Sequence, residues 1–118
     1  MPQITVDYSE QLADDFDRPG FGRALHAAVV EIAAAKLPAC KTQFRRCENT
    51  TFADETDGHA VVHVTLGLLA GRTDETKARL TEAVLELLRQ YIKPTGELAL
   101  HLTAEVRDLD PSFRKFES

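Results

Sequence analysis

Two stretches of the sequence hold residues whose type and setting could do chemistry. The first is Met1-Pro2. Initiator methionine is commonly removed before a small residue, and that would leave Pro2 with a free secondary amine. An α-amino group ordinarily titrates at about 7.7–8.0. Burial in an apolar pocket, or a nearby cation, disfavours the ammonium and lowers that value. A neutral amine can then take a proton from carbon or from an enol. The competing reading is plain chain processing, since a Met-Pro start needs no catalytic reason. With Met1 retained, the Pro2 nitrogen is a tertiary amide and cannot be a base.

The second stretch is Gly71-Arg72-Thr73-Asp74-Glu75. Gly71 permits a tight strand-to-helix turn. Arg72 then stands just before a helix N-terminus, where positive potential gathers. Its guanidinium can grip a carboxylate with two parallel hydrogen bonds. The bland alternative is a solvated arginine paired with Asp74 or Glu75. His63 and His101 fall on the non-core face of their strands, where structural or interface hydrogen bonding competes with catalysis. Cys40 and Cys47 lack a CxxC spacing, and with four scattered histidines they suggest no metal site. They read as reduced thiols of a cytoplasmic protein.

The elements that would position these residues follow from periodicity. Ile4, Val6 and Tyr8 alternate with Gln3, Thr5 and Asp7, a half-buried strand that Pro2 can begin. Residues 9 to 19 are polar and end in the breaker pair Pro19-Gly20, which places a helix after them. Phe21, Leu25, Ala28, Val29 and Ile32 recur at helical spacing, and this helix stops before Pro38. A weaker strand over residues 39 to 52 contains Arg45 and Arg46. Residues 54 to 58 form a turn. Val62, Val64, Leu66 and Leu68 then share one face of a strong strand over residues 59 to 68. Thr73 is a plausible N-cap, with Asp74 and Glu75 in a first turn that favours acids. Leu80, Val84, Leu87, Leu88 and Tyr91 line the second helix, and Pro94 and Gly96 end it. Leu98, Leu100, Leu102, Ala104 and Val106 alternate in the last strand.

The order β-α-β, β-α-β predicts an α+β fold. Two right-handed βαβ units side by side give a four-stranded mixed sheet with both helices on one face. The other face would carry His63, Thr65, His101, Thr103 and Glu105, and suits packing against other subunits. Phe113 and Phe116 would dock the tail on this or a neighbouring subunit. The 118 residues fit one domain, 1–118, whose thin core favours oligomerisation. With 14 basic and 19 acidic residues the net charge is −5, against a general nucleic-acid binder. No apolar run approaches a membrane span, and no basic segment with an apolar stretch opens the chain.

In their order and spacing these pieces resemble the tautomerase superfamily. The turn from Leu69 through Gly71-Arg72 to Leu80 is similar to that of 4-oxalocrotonate tautomerase. The whole chain is more similar to the 5-carboxymethyl-2-hydroxymuconate isomerase family, over residues 2 to 111. The matching pieces are Met1-Pro2 with its strand, Pro19-Gly20, Ala53-Asp54, Val62-His63-Val64-Thr65-Leu66, Ala70-Gly71-Arg72, and Glu105-Val106-Arg107-Asp108-Leu109-Asp110-Pro111. The tail departs, since family members run on where this chain reaches Ser118.

The resemblance implies a tautomerase fold, a homotrimer with sheets around a central axis, and a cofactor-free keto–enol isomerisation of an unsaturated 2-oxo acid. It implies Pro2 as general base and Arg72 as a carboxylate holder. For the family's second-strand arginine, an ungapped alignment places Lys41, while keeping Cys47 in register brings Arg45 or Arg46 near. Counting back from Arg72 to where the small tautomerase carries its proline lands on Val62. Counting forward from Pro2 to its arginine lands on Leu12. One half therefore keeps the base and the other keeps the arginine, which implies one site per chain. The competing reading is a non-catalytic homotrimer, a binding or scaffold protein on the same fold. A ferredoxin-like regulatory domain shares the element order but leaves Met1-Pro2 and Gly71-Arg72 unexplained.

Overall fold

The computed structural model describes residues 2–93 and 96–118. Four strands and two helices follow in the expected order: β1 Gln3–Ser9, α1 Arg18–Ala33, β2 Lys41–Cys47, β3 His59–Leu68, α2 Asp74–Tyr91 and β4 Ala99–Asp108. The sheet runs β2-β1-β3-β4. Parallel pairing joins β1 to β2 and β3 to β4, as two βαβ units require, and the two units meet where β1 runs antiparallel to β3. Thr5 faces Thr65 at the centre of that seam, with Ile4 opposite Leu66 and Val6 opposite Val64.

One face of the sheet and the two helices enclose the core. Ile4, Val6, Tyr8, Val62, Val64, Leu66 and Leu68 are buried, as the alternation in β1 and β3 requires. Phe21, Leu25 and Val29 of α1 meet Leu80, Val84 and Leu88 of α2 in the same cluster. The inward residues of β4, from Leu100 to Val106, are only half-buried and pack on its margin. Each helix starts on a side-chain cap: Asp17 accepts from the Gly20 N–H at 3.0 Å, and Thr73 accepts from the Thr76 N–H at 3.1 Å. The tenancy of Thr73 agrees with the expectation.

The start of α1 does not. Pro19-Gly20 lies inside its first turn rather than before it. Proline is tolerated there because its missing N–H would have had no helical partner. Gly20 is buried, and a Cβ on it would meet Tyr91 at 2.8 Å. The polar segment before the helix is also more ordered than its composition suggests. A single 3-10 turn, Glu10–Leu12, buries Leu12, and Phe16 enters the core beside it. Phe16 bridges to Ile92, and the N–H of Asp17 and Lys93 bind the carbonyls of Tyr91 and Asp15 at 2.9 Å each. Pro94, expected with Gly96 to end α2, lies outside the described residues.

Candidate functional site

Pro2 is buried and stands immediately before β1. Its carbonyl accepts the Lys41 backbone N–H at 3.3 Å. The next residue, Gln3, pairs with Lys41 on one side and Gly67 on the other. Pro2 therefore sits between the start of β2 and the end of β3, and the parallel βαβ crossover is what brings Lys41 there. A cavity of about 370 Å³ opens along the first residues of β1 and β2, lined by Gln3, Ile4, Thr5, Lys41 and Gln43, with Pro2 next in sequence to its lining. Burial is a condition that lowers an amine's affinity for its proton.

Lys41 is the member of the three candidate cations that the fold puts at this end. Arg45 pairs with Asp7, five residues along β1 from Pro2, or about 17 Å of extended chain. Its guanidinium there grips Asp7 with both forks, Nε to Oδ1 at 2.6 Å and Nη2 to Oδ2 at 3.1 Å. Arg46 donates to Glu10 at 3.3 Å, farther still from Pro2 along the strand. The Lys41 ammonium lies 3.2 Å from Glu117 Oε2 and 3.4 Å from the Ala39 carbonyl.

Arg72 is at the same end, four residues beyond the close of β3. Gly71 before it has φ 122°, a conformation strained for any residue with a side chain. The guanidinium does not pair with Asp74 or Glu75. Its Nε and Nη2 donate to the Ala33 carbonyl at 3.2 and 3.0 Å, and Nη1 donates to the Leu69 carbonyl at 3.0 Å. Ala33 is the last residue of α1, followed by Ala34 in the left-handed conformation at φ 57°. A cation there satisfies orphan carbonyls and meets the negative end of the helix dipole. Neither the carboxylate reading nor the surface ion pair anticipated this cap. A guanidinium has five N–H donors, so these contacts leave two for another partner.

Gly67 and Leu109 complete the neighbourhood, and the sequence reading gave neither a role there. A Cβ on Gly67 would lie 2.9 Å from Leu109 Cδ2 and 3.1 Å from the Gln3 carbonyl. The Leu109 N–H binds the Leu68 carbonyl at 2.7 Å. The chain after β4 thus brings the Leu109 side chain over Gly67, the β3 partner of Gln3. A glycine inside an apolar strand was the available signal, because it marks close approach of another chain segment.

The two histidines on the non-core face are hydrogen-bonded within the chain. His63 Nδ1 is 2.6 Å from Thr103 Oγ1, and its Nε2 lies 3.7 Å from Glu105. His101 Nε2 is 2.9 Å from His59 Nδ1, while His59 Nε2 meets Glu55 at 3.1 Å and Phe52 stacks on both rings. This cluster lies at the start of β3, the end of the sheet opposite Pro2. Among the described residues no helix is long and apolar enough to cross a membrane. The tail aromatics differ: Phe113 is half-buried, whereas Phe116 is 89% exposed on the single chain.

Comparison with known proteins identifies the family and the fold. Residues 2–116 match the model of the 5-carboxymethyl-2-hydroxymuconate isomerase family. A relative from Escherichia coli, called 5-carboxymethyl-2-hydroxymuconate Delta-isomerase, is 25% identical over 113 residues, covering 95% of this chain and 90% of that protein. A crystal structure of a 5-carboxymethyl-2-hydroxymuconate isomerase from Deinococcus radiodurans R1 superposes with a TM-score of 0.84 at 21% identity, over 98% of this chain and 90% of that one. The fold is shared with a fused 4-OT described as a wild type symmetric trimer, at TM-score 0.70 and 24% identity over 90% and 84% of the two chains. The four-stranded mixed sheet with two helices on one face, the match along residues 2–116 and the Escherichia coli relative together make this chain an enzyme of the isomerase class, belonging to the 5-carboxymethyl-2-hydroxymuconate isomerase family.

Proposed function

We propose that this enzyme is a cofactor-free keto–enol isomerase for an unsaturated 2-oxo acid of the 2-hydroxymuconate type, with Pro2 as the base. The observation that carries the reading is the burial of Pro2 at the start of β1, where its carbonyl accepts the Lys41 N–H and the adjacent Gln3 and Lys41 line an open cavity. Once Met1 is removed, the Pro2 nitrogen is a secondary amine. It takes the proton of the 2-hydroxyl, becoming an ammonium, as the electron pair moves into the conjugated chain. The same proton then returns to a carbon farther along, which leaves the 2-oxo product and the free amine. In reverse the amine removes the allylic proton.

Lys41 binds one substrate carboxylate. Arg72 offers its two remaining N–H groups to the other, and both cations stabilise charge that develops on the dienolate. Arg45 and Arg46 take no part within one chain, because Asp7 and Glu10 hold them at the far end of β2. The working assembly is a homotrimer. Its support is the open sheet face with Thr5, Thr65 and Val61, the two edge strands β2 and β4, and the symmetric-trimer relative.

One observation favours the other reading, a non-catalytic homotrimer that binds or scaffolds. Both cations near Pro2 already have partners inside the chain. Intact mass and a rate measurement separate the two. The catalytic reading expects loss of Met1 and ketonisation of 2-hydroxymuconate well above the buffer rate. Retained Met1, or a rate equal to buffer, leaves the scaffold. Native mass spectrometry should show three copies, and a monomer at micromolar concentration would defeat the assembly.

A further inference from the structure

Residues 109–118 leave the end of β4 and turn back toward the start of β2. Leu109 anchors the segment at Gly67 and Leu68. Asp110 sets the reversal: its Oδ1 accepts from the Ser112 N–H at 2.8 Å and its carbonyl from the Phe113 N–H at 2.9 Å. Arg114 Nη1 donates to the Pro111 and Phe113 carbonyls at 3.1 and 2.8 Å, which holds the reversed shape. Half-buried Phe113 gives the segment an apolar foothold. The outcome is that Glu117 reaches Lys41, Oε2 to Nζ at 3.2 Å, with Lys115 lying 3.8 Å from Oε1.

Lys41 also lines the cavity at the start of β1, together with Gln3 next to Pro2. A carboxylate of the chain itself therefore rests on the cation that would take a substrate carboxylate. The hydrogen bond from Lys41, with the charge of Lys115, holds the Glu117 carboxyl below its ordinary range, so it is ionised at neutral pH. A tethered carboxylate competes at an effective concentration on the order of millimolar. The pair is nonetheless displaceable, since its side chains are 44% and 54% exposed and water screens such contacts.

We propose that Glu117 is a specificity-determining residue: its carboxylate occupies the anion position on Lys41 and biases the enzyme toward unsaturated 2-oxo acids with one carboxylate. A dicarboxylate must displace the tail before its second carboxylate can reach Lys41. This rests on the reading of Pro2 and Lys41 as one site. The geometry makes the tail a selector rather than a lid, because the contact falls on the Lys41 ammonium and the strongly exposed Phe116 beside Glu117 covers nothing on its own chain.

The experiment compares the parent with Glu117→Gln on 2-hydroxymuconate and on the enol of phenylpyruvate, a monocarboxylate. The ratio of their kcat/KM values should shift toward the dicarboxylate by about 3- to 10-fold, through KM, and Lys41→Gln in the same background should cancel the shift. Adipate, which cannot tautomerise, supplies a second readout. Its Kd, followed by the amide signals of Gln3 and Lys41, should fall in Glu117→Gln by a similar factor. An unchanged substrate ratio with an unchanged adipate Kd overturns the proposal, and so does a gain that survives Lys41→Gln. If neither enol turns over but adipate binds Glu117→Gln more tightly, the proline mechanism fails while the role of Glu117 stands. If turnover depends on Pro2 and Glu117→Gln alters neither readout, the role of Glu117 fails alone.

Discussion

Arg72 closes the C-terminus of α1 by holding the Ala33 carbonyl with two of its nitrogens, 3.2 Å from Nε and 3.0 Å from Nη2. The contact joins the β3–α2 turn of one βαβ unit to the helix of the other. It gives an arginine at the proposed site a structural duty at the same time, so its two duties need separate measurements.

Arg72→Ala should lower stability by about 1–3 kcal/mol, the usual cost of removing a charged donor from carbonyls it satisfies. Thermal unfolding reads that loss. If the remaining N–H groups also bind substrate, kcat/KM should drop by roughly tenfold to a thousandfold. Arg72→Lys should restore part of each, because an ammonium keeps the charge but not the planar fork. A lower Tm with unchanged kinetics would confine Arg72 to the helix cap.

For Pro2 the expected outcome is kinetic and not structural. Pro2→Ala puts a primary amine in place of a constrained secondary one at a buried position. The ketonisation rate should fall at least about tenfold, within the range that general-base catalysis supplies. Stopped-flow absorbance on 2-hydroxymuconate measures it. Equal rates in parent and variant would remove Pro2 as the base.

Gly67 tests the packing beside the site. Gly67→Ala brings a methyl group against Leu109 Cδ2 at 2.9 Å and the Gln3 carbonyl at 3.1 Å. The leucine tip can yield, but the backbone carbonyl cannot without moving β1. The expected cost is about 1–3 kcal/mol, the range of overpacked sites. Chemical denaturation should show it, together with altered amide signals at Gln3 and Leu109. A neutral effect on both would mean that Leu109 does not pack there in solution.

His26 gives a pH dependence with a definite sign. Its Nε2 is 2.8 Å from Thr42 Oγ1, and burial lowers its pKa below the ordinary value of 6.5. The unfolded chain therefore binds the proton more readily than the folded one. Stability contributed by neutral His26 is fully present above pH 6.5 and declines as pH falls from there toward the depressed folded value. His26→Gln keeps a polar group near Thr42 but cannot titrate. Its Tm should change less than the parent's between pH 7.5 and 5.5. Parallel Tm curves across that window would refute the assignment.

Much of the fold was legible because its signals are local. Alternation in β1 and β3 predicted which side chains enter the core, and Thr73 capped its helix as its side-chain oxygen suggested. The element order was enough for two parallel βαβ units, since crossover handedness leaves few topologies. The family resemblance marked Pro2 and Arg72 as candidate site residues. It left the choice among Lys41, Arg45 and Arg46 open. Parallel register decided where they stand, because Gln3 pairs with Lys41 while Asp7, at the far end of β1, pairs with Arg45. The sequence carried no hint of the Arg72–Ala33 cap, marked a close approach at Gly67 without naming Leu109 as its partner, and carried no hint of Glu117 on Lys41. Those contacts join residues 39, 42 and 76 positions apart. Local propensity governs neighbours within a few residues, whereas such distant partners meet only when the whole sheet has closed. The residue types with chemical capacity were therefore written in the chain, and their partners were set by tertiary structure.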